Sequence, residues 1–153
     1  MKAEISLKGK ESIKEQINNA RKIKNHLTYA ETVLFPKVEM FEFRVPVRVS
    51  ISVGAYDVTV DFRIASETPT DSESSLAVAD LVKLFGLRFE RQFNQYSGTF
   101  YWTAKNHNYL TPLVEGELPF TVQLGNVSTG KCEIRKVTKE VTEVREVYEA
   151  HCD

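Results

Sequence analysis

The chain has 153 residues, a formal net charge of −1, 42% hydrophobic residues and 27% charged residues. This length is typical of one folded domain, and both fractions are ordinary for a soluble protein, which excludes a disordered, collagen-like or disulfide-dense chain. Charges occur throughout the first residues and no long apolar segment follows, so neither a signal peptide nor a membrane span is expected. We expect one soluble, cytoplasmic domain over residues 1–153.

The first predicted element is a helix from Ser12 to about Leu34. Its apolar residues recur every three or four positions, the spacing of one helical face: Ile13, Ile17, Ala20, Ile23, Leu27, Ala30 and Leu34. Ser12 and Glu15 have the form of a capping box at its start. Pro36 is expected to end the helix, because the residue before a proline avoids the helical region.

A β-hairpin is predicted next. Apolar residues occupy the odd positions of residues 41–53 and the even positions of residues 58–64, a period of two that indicates strands with one buried face. The predicted antiparallel pairs are Val53–Val58, Ile51–Val60, Val49–Phe62 and Val47–Ile64. Because Pro46 cannot donate to a ladder, its end of the first strand is expected at a sheet edge or in a bulge.

A second helix is predicted after a hydroxyl-rich loop at residues 65–75. Its apolar stripe consists of Val78, Val82, Phe85, Phe89 and Phe93. Because Gly86 lies within this stripe, we expect a kink or a closely packed neighbour there.

The last third of the chain is strand-like, with predicted strands at residues 96–104 and 120–124. Residues 131–153 also have apolar residues at helical spacing, but their β-branched composition favours a hairpin that turns near Thr142. The predicted pairs are Cys132–Cys152, Ile134–Ala150 and Lys136–Tyr148. Both cysteines are expected as reduced thiols, as in most cytosolic proteins.

Together these elements predict an α+β fold in the order α-ββ-α-ββββ. The sheet is expected to be largely antiparallel, with about five to six strands and with both amphipathic helices packed on one face.

Residues 125–132, GNVSTGKC, resemble a phosphate-binding loop, in which backbone N–H groups and a lysine hold the phosphates. A working loop of this kind connects a strand to a helix and has Ser or Thr after the lysine. Here the segment connects two predicted strands, and Cys132 follows Lys131. We therefore interpret Gly125–Asn126 and Thr129–Gly130 as turns that tolerate positive φ.

No sequence pattern for catalysis or metal binding is found. Neither a nucleophile–base signature nor the paired-ligand spacing of structural zinc occurs. Cys132, His151 and Cys152 include zinc-binding residue types, but they lack the second close pair that zinc sites usually have. We expect no catalytic residue, no metal and no cofactor.

Tyrosines provide the first functional hypothesis. Tyr96, Tyr101 and Tyr109 lie near one another in the sequence, with His107 among them, and tyrosine is enriched at protein interfaces. This cluster, with the lack of a catalytic set, favours a non-enzymatic module whose partner is another protein. A second copy of the chain, paired through the strand edge near Pro46, is one such partner.

Two alternatives rest on other residues. Residues 1–38 contain eight Lys/Arg and four acidic residues, so a basic first helix together with a stacking tyrosine would suit single-stranded nucleic acid. The residues assigned to this alternative are Arg21, Lys22, Lys24, Lys105 and Tyr101. The second alternative is a small-molecule-binding domain or an enzyme with a pocket between helices and sheet, in which His107 would act as a base.

The C-terminal segment KCEIRKVTKEVTEVREVYEAHCD, residues 131–153, is rich in Val and Thr between two cysteines. In this respect it resembles the C-terminal hairpins of small orphan proteins of bacteriophages. The resemblance implies an accessory role, such as inhibition of a host or defence protein. It assigns no functional residue.

Overall fold

The computed structural model describes residues 2–108, 112–140 and 144–153. Within these ranges the elements are α1 (Leu7–Tyr29), a π-helical turn (Ala30–Leu34), α2 (Phe35–Glu39), β1 (Val47–Val53), β2 (Val58–Ile64), α3 (Asp71–Phe85), β3 (Glu90–Asn94), β4 (Thr99–Lys105), β5 (Phe120–Gly125), β6 (Cys132–Glu140) and β7 (Val144–Cys152). The predicted α+β class is confirmed. The part after α3 has five strands in this structure rather than the four predicted.

Five strands form one sheet in the order β1-β2-β5-β4-β3, and β6 and β7 form a separate two-stranded hairpin. The β2–β5 pair is parallel, and the other neighbours are antiparallel. All four predicted pairs between β1 and β2 are observed, from Val47–Ile64 to Val53–Val58. β1 is an edge strand, so the prediction that Pro46 lies next to a sheet edge is confirmed.

One face of the sheet is apolar, and both helical layers pack on it. The side chains of β2 and β5 on this face are fully or nearly fully buried: Val58, Val60, Phe62, Ile64, Phe120, Val122 and Leu124. Leu34 of the π turn and Leu81 and Phe85 of α3 belong to the same core cluster. The residues between them, such as Asp61 and Gln123, are polar and point to the other face.

The prediction that the first helix ends at Pro36 is wrong. The helix begins at Leu7, where the Ser6 side chain accepts a hydrogen bond from the N–H of Gly9 (3.0 Å), and it continues through a π turn to Glu39. Pro36 has no N–H for an α-helical bond, and its ring would clash with the carbonyl oxygen four residues earlier. The wider π turn directly before Pro36, closed by the bond from the Phe35 N–H to the Ala30 carbonyl oxygen, accommodates the proline within the helix.

Two other boundaries differ from the prediction. α3 ends at Phe85, because Gly86 adopts the left-handed conformation (φ 65°) that terminates helices; Phe89 and Phe93 therefore belong to the β3 region. β1 begins only at Val47, since the preceding segment is held by α3. There the Arg44 backbone N–H and Nε donate to the buried Asp80 carboxylate at 2.9 and 2.8 Å.

The predicted C-terminal hairpin is confirmed in its register. Cys132 pairs with Cys152, and the predicted Ile134–Ala150 and Lys136–Tyr148 pairs are also present. The turn predicted near Thr142 lies outside the described residues. The prediction of reduced thiols is wrong, because the structure joins Cys132 to Cys152 in a disulfide. The antiparallel register brings their Cα atoms to 4.0 Å, which places the two side chains side by side.

Reduction of this disulfide is expected to destabilise the protein. The chain-entropy term for cysteines 20 residues apart is about 3 kcal/mol. Urea unfolding with and without a reductant measures the change. The double variant Cys132→Ser/Cys152→Ser is the control, because a reductant should leave its unfolding midpoint unchanged. An oxidised wild-type protein whose midpoint equals that of this variant would contradict the expectation.

Tyr148 of β7 fixes the hairpin against the β3–β4 turn. Its N–H donates to the Gln95 carbonyl oxygen. Its ring lies over Gly98, where an added Cβ would be only 2.7 Å from two ring carbons. The hairpin therefore docks where the turn has no side chain.

Gly98→Ala is expected to destabilise the protein more than Gly86→Ala. Both glycines have similar positive φ (69° and 65°), so both variants carry the left-handed strain of about 1 kcal/mol. Only Gly98 faces a ring, because nothing lies within 4 Å of a Cβ at Gly86. The clash should add about 1–3 kcal/mol in urea unfolding and speed amide exchange in β7. Equal losses in the two variants would show that Tyr148 does not pack there.

Candidate protein-binding surface

Only the last turns of α1 are anchored to the rest of the fold. His26 and Tyr29 are the buried residues of this helix, and His26 Nδ1 donates to the Gly54 carbonyl oxygen at 2.9 Å. Residues 7–22 are exposed apart from two half-buried positions. At 1.5 Å per residue, this part of α1 extends for about 24 Å without a fully buried side chain.

A mostly apolar row of exposed side chains runs along this part of α1 and into its last turns. We call this row the α1 seam. It consists of Ile13, Ile17, Ala20, Lys24 and Leu27. The large aliphatic side chains in it are strongly exposed, with 53% for Ile13, 46% for Ile17 and 53% for Leu27. With the exposed Ala20, four of the five members are therefore apolar side chains that the fold leaves in water.

This exposure corrects the prediction that the whole first stripe packs on the sheet. Of the predicted stripe only Ala30 and Leu34 are buried. Leu27 is exposed because the π turn holds about one residue more than an α turn and so changes by roughly 100° the side of α1 that reaches the core. The residue in line with Leu34 is then His26, eight positions earlier, and Leu27 turns away from the sheet. Ile13 and Ile17 are exposed because residues 7–22 are uncovered on nearly every side of the helix.

Positive charge borders the seam. Lys14 and Arg21 are exposed along one flank, and Lys24 lies within the seam itself. The acidic residues Glu11 and Glu15 lie on the far side of the helix, since 100° per residue places both more than a quarter turn from the seam. The surface is thus an apolar row with a basic border.

The tyrosines predicted as interface residues are only partly brought together. Tyr96 and Tyr101 line an open depression of about 640 Å³, together with Tyr148 and Lys139 of the hairpin. His107 lies beyond the other end of β4 and lines a different depression, of about 680 Å³, with Lys105. Tyr109 lies outside the described residues.

The residues predicted for nucleic-acid binding lie in different layers. Trp102 pairs with Leu124 of the apolar face, so Tyr101 and Lys105 point to the polar face of the sheet. Arg21, Lys22 and Lys24 are on α1, whose buried end packs on the apolar face. The structure does not place the stacking tyrosine beside the cations of the helix.

The glycine-rich segment connects β5 to β6, as the sequence indicated. Asn126 (φ 54°) and Gly130 (φ 65°) have the predicted positive φ. The Asn126 side chain donates to the carbonyl oxygens of Ile64 and Ser66 at 2.7 and 2.6 Å, and the Ser128 N–H donates to Ser74 Oγ at 2.9 Å. These bonds attach the segment to the loop after β2 and to α3.

One further candidate site can be located. A space of about 370 Å³ between α3 and the sheet is bordered by Trp102 and Arg91, at the position expected for a helix–sheet pocket. The Arg91 guanidinium in it lies over the Phe100 ring and donates to the Thr129 carbonyl oxygen, so it is already engaged. Among the described residues no group of three or more His, Cys, Asp and Glu side chains is placed to hold a metal.

Comparisons of the chain with protein-family models, with curated proteins and with solved structures found no match. Within the described ranges, no helix combines the length and apolar character needed to cross a membrane.

Tyr29, which anchors α1, gives the structure a pH dependence. Burial raises the pKa of its phenol above the usual 10.0, and the nearby Glu117 carboxylate raises it further. The unfolded chain therefore loses this proton at lower pH than the folded chain does. The contribution of Tyr29 is complete below about pH 10 and is lost as the pH rises through the folded-state pKa.

We expect the stability advantage of wild type over Tyr29→Phe to shrink at alkaline pH. Urea unfolding at pH 8, 9, 10 and 11 measures the free-energy difference between the two proteins. Tyr56→Phe, at an 83% exposed tyrosine, is the matched control and should give a flat difference. A Tyr29→Phe difference that is constant up to pH 11 would contradict the assignment.

Proposed function

We propose that this protein is a non-enzymatic protein-binding module and that the α1 seam is its principal contact surface. The observation that carries this proposal is the exposure of Ile13, Ile17 and Leu27 in one row. Contiguous exposed apolar side chains with a polar border are typical of interaction sites. Lys14 and Arg21 supply the polar border of the α1 seam.

The projection of α1 supports the same conclusion. A helix that is not packed on anything is only marginally stable in water, and most helical stability in proteins comes from burying an amphipathic face. No side chain of residues 7–22 is fully buried in the described structure, and Asn19 alone among these side chains is half-buried. A partner that covers the seam would supply the missing packing.

An accessory or inhibitory role, implied by the resemblance of residues 131–153 to bacteriophage hairpins, is one form that such binding takes. A cytoplasmic location remains a prediction. The Cys132–Cys152 disulfide is instead typical of oxidising compartments.

Affinity capture from the cells that naturally make the protein tests the proposal. We expect Ile13→Gln/Ile17→Gln to lose the proteins that wild type retains, because central apolar anchors carry most of the binding energy of an interface. Glutamine preserves helix propensity, and substitutions at such exposed positions change stability by about 0.5 kcal/mol or less. Quantitative mass spectrometry of the retained proteins is the measurement.

The matched control is Met40→Gln/Val82→Gln. These residues are 85% and 42% exposed and lie after α2 and on α3, so neither belongs to α1 or its seam. This control should retain the same proteins as wild type. Equal retention by the seam variant, or no retained protein with wild type, would overturn the proposal.

A further inference from the structure

We infer that the occupant of the α1 seam is an acidic amphipathic helix of a partner protein, packed alongside α1 as a two-helix coiled coil. This inference rests on the proposed function and names the chemistry of its partner. It follows from the spacing of the seam and from the sign of the charges beside it.

The spacing is that of a coiled coil. Ile13, Ile17, Ala20, Lys24 and Leu27 follow one another at alternating steps of four and three residues. These steps are the d and a positions of a heptad, in which each side chain enters a hole on a facing helix. Ala20, the smallest of the five, allows a partner helix to approach closely at the middle of the row.

The charges select the partner. In this heptad Lys14 and Arg21 occupy e positions, which face the flanking residues of the second helix, and both are exposed. Lys10 and Lys24 occupy a positions. A partner with Glu or Asp at its own flanking positions would pair with Lys14 and Arg21. An acidic residue opposite Lys24 would fix the register.

A second copy of α1 does not meet these requirements. In a parallel pair Lys24 would face Lys24 of the other copy. In an antiparallel pair the e positions face each other, so Lys14 would face Arg21. Like charges at these positions disfavour pairing, and the fold thus specifies against self-association through this surface.

A lipid surface fits less well than a helix. Helices that lie in a bilayer interface combine a Lys- and Arg-rich polar face with an apolar face of Trp, Phe and Leu. The seam has no aromatic residue, and its apolar row is one side chain wide. The polar side of the helix also carries Glu11 and Glu15, which an anionic surface would repel.

Fluorescence anisotropy with the full chain tests the inference. The probe is a labelled peptide of three heptads with Ile at a, Leu at d, Glu at e and g, and one Glu in place of the third Ile, which faces Lys24 when the peptide lies parallel to residues 10–30. The control peptide has Lys at every Glu position. We expect the acidic peptide to bind with a Kd on the order of 10 µM, about tenfold or more tighter than the basic one. Its binding should weaken as NaCl is raised from about 50 to 500 mM.

Two variants of the chain sharpen the test. Lys14→Glu/Arg21→Glu should reverse the preference between the two peptides, which a merely destabilised helix would not do. Ile13→Gln/Ile17→Gln should weaken binding of the acidic peptide at least tenfold. Circular dichroism of both variants confirms that α1 remains helical.

Four experimental results would overturn the inference. These are equal binding of both peptides, absence of binding by the acidic peptide, tight binding to vesicles of phosphatidylglycerol, and a dimer in light scattering that Ile13→Gln/Ile17→Gln dissolves. If the acidic peptide fails while the seam variant still loses its captured proteins, the partner chemistry is wrong and the proposed function stands.

Discussion

The rotation of the first helix at its π turn determines which side of its last turns reaches the core. Pro36 cannot take part in an α-helical bond, and the π turn of residues 30–34 adds about one residue before it. Beyond the turn, Leu34 and Val38 are buried. Before the turn, the line that reaches the core passes through His26 rather than Leu27. Leu27 therefore lies in water and, with the exposed Ile13 and Ile17, completes a row that another molecule can contact.

The two ends of this helix differ in their packing. Its C-terminal part is bound to the sheet by packing and by the hydrogen bond from His26 to Gly54, which also ties down the β1–β2 turn. Its N-terminal part has an apolar row and a surplus of cations but no packing partner within the described fold. The anchored end fixes the point on the fold from which this row projects.

The sequence predicted the two hairpins down to individual pairs, because a period of two leaves only one register that buries one face. The prediction failed for the first helix because a π turn accommodates Pro36 and rotates the helix. The periodicity of apolar residues does not reveal such a turn. The prediction extended α3 past Gly86 because Phe89 and Phe93 continue the helical spacing by coincidence. The disulfide follows from the register that pairs Cys132 with Cys152, whereas the expectation of reduced thiols rested only on the cellular compartment. The α1 seam could have been recognised in the sequence from its alternating steps of four and three residues with a lysine among them.

The position of β5 has a consequence for synthesis of the chain. β1–β2 and β3–β4 are hairpins of neighbouring segments, but β5 lies between them in space and follows both in sequence. On the ribosome the β2 edge and the β4 edge are both still unpaired, and the two halves join only after Gly125 has left the exit tunnel. Until then the apolar faces of both hairpins depend on chaperones or on the helices already made for protection from aggregation.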